Sequence, residues 1–181
     1  MKKTLILTRH LTTTWNRRKR IQGQTDIELD EGGKQEAKAL AKKLQHLGIG
    51  CIISSDLKRA SQTAEIIAET LRVPVILDKR LRECALGTIE GLTREEAGEQ
   101  YGDKILGLWE NQYDSYDFGK YGGENKTQVF RRHLELLKEI SSITAEKIIL
   151  LVGHGRGLNT LLAALGYPPT LERSEYRVIE Y

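Results

Sequence analysis

Five short apolar runs, separated by stretches with helical spacing, constrain this chain more than any other feature. They are "TLILT" (4–8), "CIISS" (51–55), "VPVILD" (73–78), "KIILLVGHG" (147–155) and "EYRVIEY" (175–181). The first two read as buried strands and the fourth as a central one, whereas the last alternates as a half-exposed terminal strand does. Between them, "DEGGKQEAKALAKKLQHLG" (30–48) sets Ala37, Leu40, Ala41, Leu44 and Leu47 at three- and four-residue spacing, a helix stripe closed by Gly48. A second helix is expected over 56–72, with Asp56 as N-cap and Pro74 beyond its end. Residues 93–101, 125–142 and 157–166 also read as helical. Repeated strand–helix alternation predicts an α/β fold, a three-layer α/β/α sandwich with a mostly parallel sheet. The expected organisation is a single domain over 1–181. A cover or insertion segment falls at about 101–124, where the rhythm gives way to "YGDKILGLWENQYDSYDFGKYGGE".

Composition narrows the partners. The 181 residues carry 28 Lys and Arg against 25 Asp and Glu, a net charge of only +3. That is too weak for nucleic acid as the main partner, so an anion preference has to come from a local cluster. Cys51 and Cys84 lie far apart, without metal-ligand spacing. No run approaches the roughly 20 apolar residues a bilayer span needs, and the apolar run after "MKK" is shorter than a secretory core. The expectation is a cytoplasmic protein without a membrane partner.

Chemistry gathers where α/β sheets bind ligands, outside the carboxyl ends of strands. "TRH" (8–10) follows the first strand and "SSDLKRASQTA" (54–64) the second, with Arg59 near the start of its helix. "VGHGRG" (152–157) follows the fourth run and sets His154 between glycines. Glu83, in "RLRECALGTIEGLT", follows the "VPVILD" strand. Two histidines and two arginines on one rim read as an anion site. The run Arg17, Arg18, Lys19 and Arg20 reads as a charged rim, with Arg20 a candidate substrate contact.

These segments resemble the histidine phosphatase superfamily, the phosphoglycerate-mutase-like fold. The family's Arg-His-Gly-Glu-Thr-x-x-Asn motif stands here as "RHLTTTWN". Its next elements stand in order as "QGQTDIELDEGGKQEA", "SDLKRASQTA", "ECALGTIEG", "GEN" and "HGRG". The match departs at Leu11 and Thr12, where the family pattern has glycine and glutamate. The resemblance implies His10 as nucleophile, Glu83 as proton donor, and His154, Arg9 and Arg59 as the remaining catalytic groups. Asn16, Gln22, Gly23 and Gly155 join Arg9, Arg59 and His154 in holding phosphate. It further implies a phosphomonoester hydrolase acting on a small phosphorylated metabolite through a phosphohistidine, with no metal and no cofactor. The alternatives are a cofactor-dependent phosphoglycerate mutase and a non-catalytic relative that binds phosphorylated ligands.

Blander expectations accompany these. Glu83 competes with ion pairing to Arg80 or Arg82, and His46 and His133 are expected on helix surfaces. Trp109, Tyr113, Tyr116 and Tyr121 are expected to pack the cover segment. The terminal strand either pairs across a homodimer or ends the sheet.

Overall fold

The computed structural model describes residues 2–110 and 115–181. The chain begins with β1 (Thr4–Arg9), a short helix α1 (Thr14–Arg17) and α2 (Glu31–Leu44). It continues through β2 (Cys51–Ser54), α3 (Lys58–Leu71) and β3 (Val75–Leu77). After α4 (Arg94–Tyr101), α5 (Asp103–Glu110) and α6 (Lys126–Ile143), the chain returns to the sheet as β4 (Ile148–Gly153). It ends with α7 (Gly155–Ala164) and β5 (Tyr176–Glu180). The strands order as β3-β2-β4-β1-β5; the first four are parallel and β5 runs antiparallel to β1.

The period-two geometry of a strand splits each apolar run between two cores. Leu5, Leu7, Ile53, Ile149 and Leu151 face α6 and α7, where Leu136, Leu137, Ile140, Leu158 and Leu161 meet them. Ile6, Ile52, Leu150 and Val152 face α2 and α3 on the other side. There Ala37, Ala41, Ala60 and Ala64 keep the two helices close to the sheet and to each other. This is the expected α/β/α layering around a mostly parallel sheet. A third core, apart from the sheet, gathers Ile21, Cys84, Leu86, Ile89, Ala97, Ile105, Tyr116, Phe118, Tyr121 and Val129.

Several local expectations are corrected. Asp56 does not cap α3, whose N-cap is Leu57 without a side-chain bond; the Asp56 carboxylate instead receives two hydrogen bonds from Arg82 at 2.6 and 2.7 Å. The helix expected over 30–48 ends at Leu44 and tightens into a 3-10 turn over Gln45–Leu47 before Gly48 takes a left-handed φ of 67°. The last helix starts at Gly155, not 157. Within residues 101–124, α5 and a 3-10 turn at Gly119–Tyr121 build part of the segment. Tyr116 and Tyr121 are buried and pack there as expected, whereas Tyr113 and the Trp109 side chain fall outside the described residues.

Leu11 explains how the chain tolerates a departure from the family motif. Its side chain is fully buried in the α2/α3 core, with Leu29, Ala60 and Val152, and so adds no bulk on the ligand side. Its amide is held 3.3 Å from Thr63 Oγ1, and Thr12 beside it is tied to the Glu36 carboxylate. Truncation here leaves a cavity between sheet and helices. Leu11→Ala should therefore lower unfolding free energy by about 2–4 kcal/mol in urea titrations while leaving affinity for inorganic phosphate within a factor of a few.

Candidate active site

Register brings the chemistry together. Arg9 pairs with Gly153 across β1 and β4, and the next residue on each strand is a histidine. The His10 amide donates to the Gly153 carbonyl at 2.8 Å, and the two imidazole rings lie 5.1 Å apart by centroid. Ser54 of β2 pairs with Val152, which brings Ser55 alongside, and Ser55 Oγ lies 2.9 Å from His154 Nε2.

A cleft of about 200 Å³ opens above this sheet edge. Arg9, His10, Asn16, Gln22, Gly23, Arg59, Glu83 and Gly155, all expected from the sequence, line it. His154 is not in the lining: it is fully buried beneath, against His10 and Ser55. Arg20 does line the cleft, while its guanidinium also reaches the Gly91 carbonyl and the Glu96 carboxylate. Of its neighbours in the basic run, Arg17 pairs with Asp30.

The state of His10 follows from its contacts. Its Nδ1 lies 2.8 Å from the Leu11 carbonyl, which can only accept, so Nδ1 carries the proton and Nε2 the lone pair. Burial, reinforced by the positive charges of Arg59 and Arg9, holds this imidazole well below the usual histidine pKa. Burial and the Arg59 charge do the same to His154. Both rings are neutral at physiological pH.

Arg59 is a guanidinium almost wholly removed from water. It donates to the Thr25 carbonyl at 2.8 Å and the Gly23 carbonyl at 2.6 Å. Desolvation pulls its pKa down to about 10, so it stays charged at neutral pH. Arg59 Nε and His154 Nδ1 are buried with no hydrogen-bond partner among the described residues. A buried unsatisfied polar group costs about 1–3 kcal/mol, and such groups gather where a ligand completes the bonding.

Two glycines matter for the shape. A Cβ on Gly155 would stand 2.6 Å from Arg9 Nη2, so only glycine lets that guanidinium lie against the start of α7. Gly23 has φ +50° and a Cβ there would strike the Glu90 carboxylate. That carboxylate receives the amides of Gln24, Thr25 and Leu86, joining the two loops that flank Arg59 and Glu83.

Glu83 is not paired with Arg80 or Arg82. Arg80 binds Asp78 and Glu139, and Arg82 binds Asp56. The Glu83 carboxylate instead accepts from the amides of Cys84, Arg156 and Gly157 at 2.9–3.2 Å. Asn16 closes a capping box on α1, its Oδ1 taken by the Thr13 amide, which leaves the amide nitrogen as its free donor side. Gln22 Oε1 is within 3.2 Å of Thr13 Oγ1.

Sequence reasoning passed over several groups. Arg156 and Arg173 line the cleft, and the Arg156 guanidinium lies 4.7 Å from the Tyr116 ring centre and 5.2 Å from that of Phe118. Arg156 stood in the quoted "HGRG", whereas Arg173 follows no recognisable pattern. His46 is exposed as expected, but His133 is fully buried behind the site. Its Nδ1 bonds the Val129 carbonyl, and burial next to the Arg132 charge pushes its pKa to about 3.

Comparison with known proteins gives the family. The model of the histidine phosphatase superfamily (branch 1) matches residues 5–176, and the chain belongs to that superfamily. Among its relatives is a probable phosphoglycerate mutase, GpmB, of Erwinia tasmaniensis, 37% identical over 93% of this chain and 78% of that protein. Among solved structures, a mycobacterial glucosyl-3-phosphoglycerate phosphatase complexed with VO3 superposes with a TM-score of 0.84, at 31% identity over 97% of this chain and 90% of the other. Bacillus stearothermophilus YhfR gives 0.82 at 34% identity, over 98% and 90%.

Three buried neutral histidines make a prediction about stability. Unfolded, each would take up a proton near its ordinary pKa of about 6.5, whereas folded His133 stays neutral down to about pH 3. Below about pH 6.5 the unfolded state therefore binds more protons and stability falls as pH falls. Replacing His133 with Asn should flatten the stability–pH slope between pH 6 and pH 4 by about 1.4 kcal/mol per unit, read from denaturant titrations at each pH.

Proposed function

We propose that this protein is a metal-independent phosphomonoester hydrolase acting on a small phosphorylated metabolite through a phosphohistidine at His10. The observation that carries the reading is the His10 imidazole itself, neutral, protonated at Nδ1 and set among guanidinium groups at the end of a strand. Nε2 attacks phosphorus, forming the N–P bond as the ester P–O bond breaks. Arg9 and Arg59 take the non-bridging oxygens, a forked task that guanidinium performs better than ammonium. Asn16 adds a neutral donor from the cleft wall, and the Nδ1 edge of His154, buried beneath His10, is the second one. Glu83 gives a proton to the departing alkoxide and then takes one from the water that attacks the phosphoenzyme, releasing inorganic phosphate and restoring His10.

Hydrolysis is favoured over mutase chemistry on two grounds. The 101–124 segment is short for a cover that shields a phosphoenzyme from water, and solved relatives carry phosphatase names. The mutase reading draws on the name of the GpmB relatives. Efficient interconversion of 2- and 3-phosphoglycerate with little phosphate release would establish it instead.

The decisive assay is phosphate release from 4-nitrophenyl phosphate with excess chelator. The wild type should turn over, and His10→Ala should lose at least about 1,000-fold in kcat. Rapid quenching should place acid-labile label on residue 10. Turnover that survives His10→Ala, or label on another residue, removes the proposal.

A further inference from the structure

The acid loop is anchored from behind by a residue outside every family motif quoted above. Arg132 projects from α6 and makes five hydrogen bonds, three to backbone carbonyls of the segment that leads into that loop and two to Glu124. Nη1 donates to the carbonyls of Arg80 and Arg82 at 2.8 and 2.6 Å, and Nη2 donates to the Glu83 carbonyl at 2.9 Å. Nε and Nη2 also bind the two oxygens of Glu124, each at 2.9 Å, in a forked pair largely shielded from solvent. Glu124 in turn receives the Ala85 amide at 2.9 Å. Gln24 Nε2 reaches the same Glu83 carbonyl at 3.1 Å.

The backbone on both sides of Glu83 is thus fixed to one guanidinium–carboxylate unit, while its side chain is fixed to the start of α7. A proton donor is useful only within hydrogen-bond reach of the leaving oxygen. Misplacement of about 1 Å can cost roughly 100-fold. We infer that the Arg132–Glu124 pair is the positioning device for the Glu83 carboxyl, aligning it for proton delivery to the leaving group. Arg132 itself does not line the cleft. The inference rests on Glu83 being the proton donor, and its test separates the two.

Kinetics on two esters distinguish positioning from general support of the fold. 4-Nitrophenolate leaves with little protonic help, whereas an unactivated alkoxide, as from glycerol phosphate, needs it. Arg132→Lys and Glu124→Gln should each lower kcat/KM for glycerol phosphate by about 100-fold and that for 4-nitrophenyl phosphate by less than about 5-fold. Vanadate affinity, measured by calorimetry, should stay near wild type and reports an intact phosphate site. In a Glu83→Gln background, Arg132→Lys should cause no further leaving-group-selective loss. Equal losses on both esters, no loss on either, or additive selective losses in the double variant overturn the inference and leave Glu83 as donor. If Glu83→Gln alone is not leaving-group selective, the reading of Glu83 falls and takes the inference with it.

Discussion

Parallel pairing of β1 with β4 is the constraint on which the remainder of this site depends. The two strands are adjacent in space but separated by more than 130 residues, and their aligned ends present His10 and His154 side by side. No loop of either strand could place two imidazoles so closely without that register, because a shift of one residue would turn Leu5, Leu7 and Ile6 to the wrong faces. The two cores on either face of the sheet therefore act as the alignment device for the histidine pair. The energy that holds the register is hydrophobic, and its product is geometric.

Electrostatics then works against burial. Arg59 is sunk into the protein with its side chain fully covered, and the nearby imidazoles stay neutral through their own burial first and the Arg59 charge second. Carbonyls of Thr25 and Gly23 take part of its hydrogen-bonding demand, and the carboxylates of Glu83, Asp26 and Glu90 offset some of its charge. A bound dianion would meet the rest. At an effective dielectric of 20, a charge pair about 4 Å apart is worth about 4 kcal/mol, against about 1 kcal/mol in water. Burial therefore raises the value of each guanidinium–phosphate contact while it disfavours the site without an anion.

Much of this was legible in the chain. The alternation of apolar runs with helix-spaced stretches led to the layered fold, because strand and helix periods are local properties of sequence. Of the residues that line the cleft, His10 was found because it follows a strand directly and Arg59 because it stands early on a helix, whereas Asn16, Gln22 and Gly23 came from the resemblance to the family. What escaped depends on contacts between distant segments. Asp56 has the chemistry of an N-cap, yet Arg82 competes for it through an ion pair that no local rule exposes. His133 sits on an amphipathic helix where a surface placement looked natural, but the start of α7 at Gly157 packs against its ring. Arg132 gives no local signal, since its meaning lies in carbonyls about 50 residues away.

The third core, remote from the sheet, carries a further consequence. Cys84 and Leu86, which follow Glu83 in the chain, belong to it, together with Val129 one turn before Arg132 on α6 and the rings of Tyr116 and Phe118. His10 stands on the sheet framework, and the segment that carries Glu83 is packed into another. Changes within the third core would thus act first on the Glu83 side of the cleft, while the β1–β4 register that places His10 stays as it is. A scaffold partitioned in this way diversifies by exchanging its upper storey.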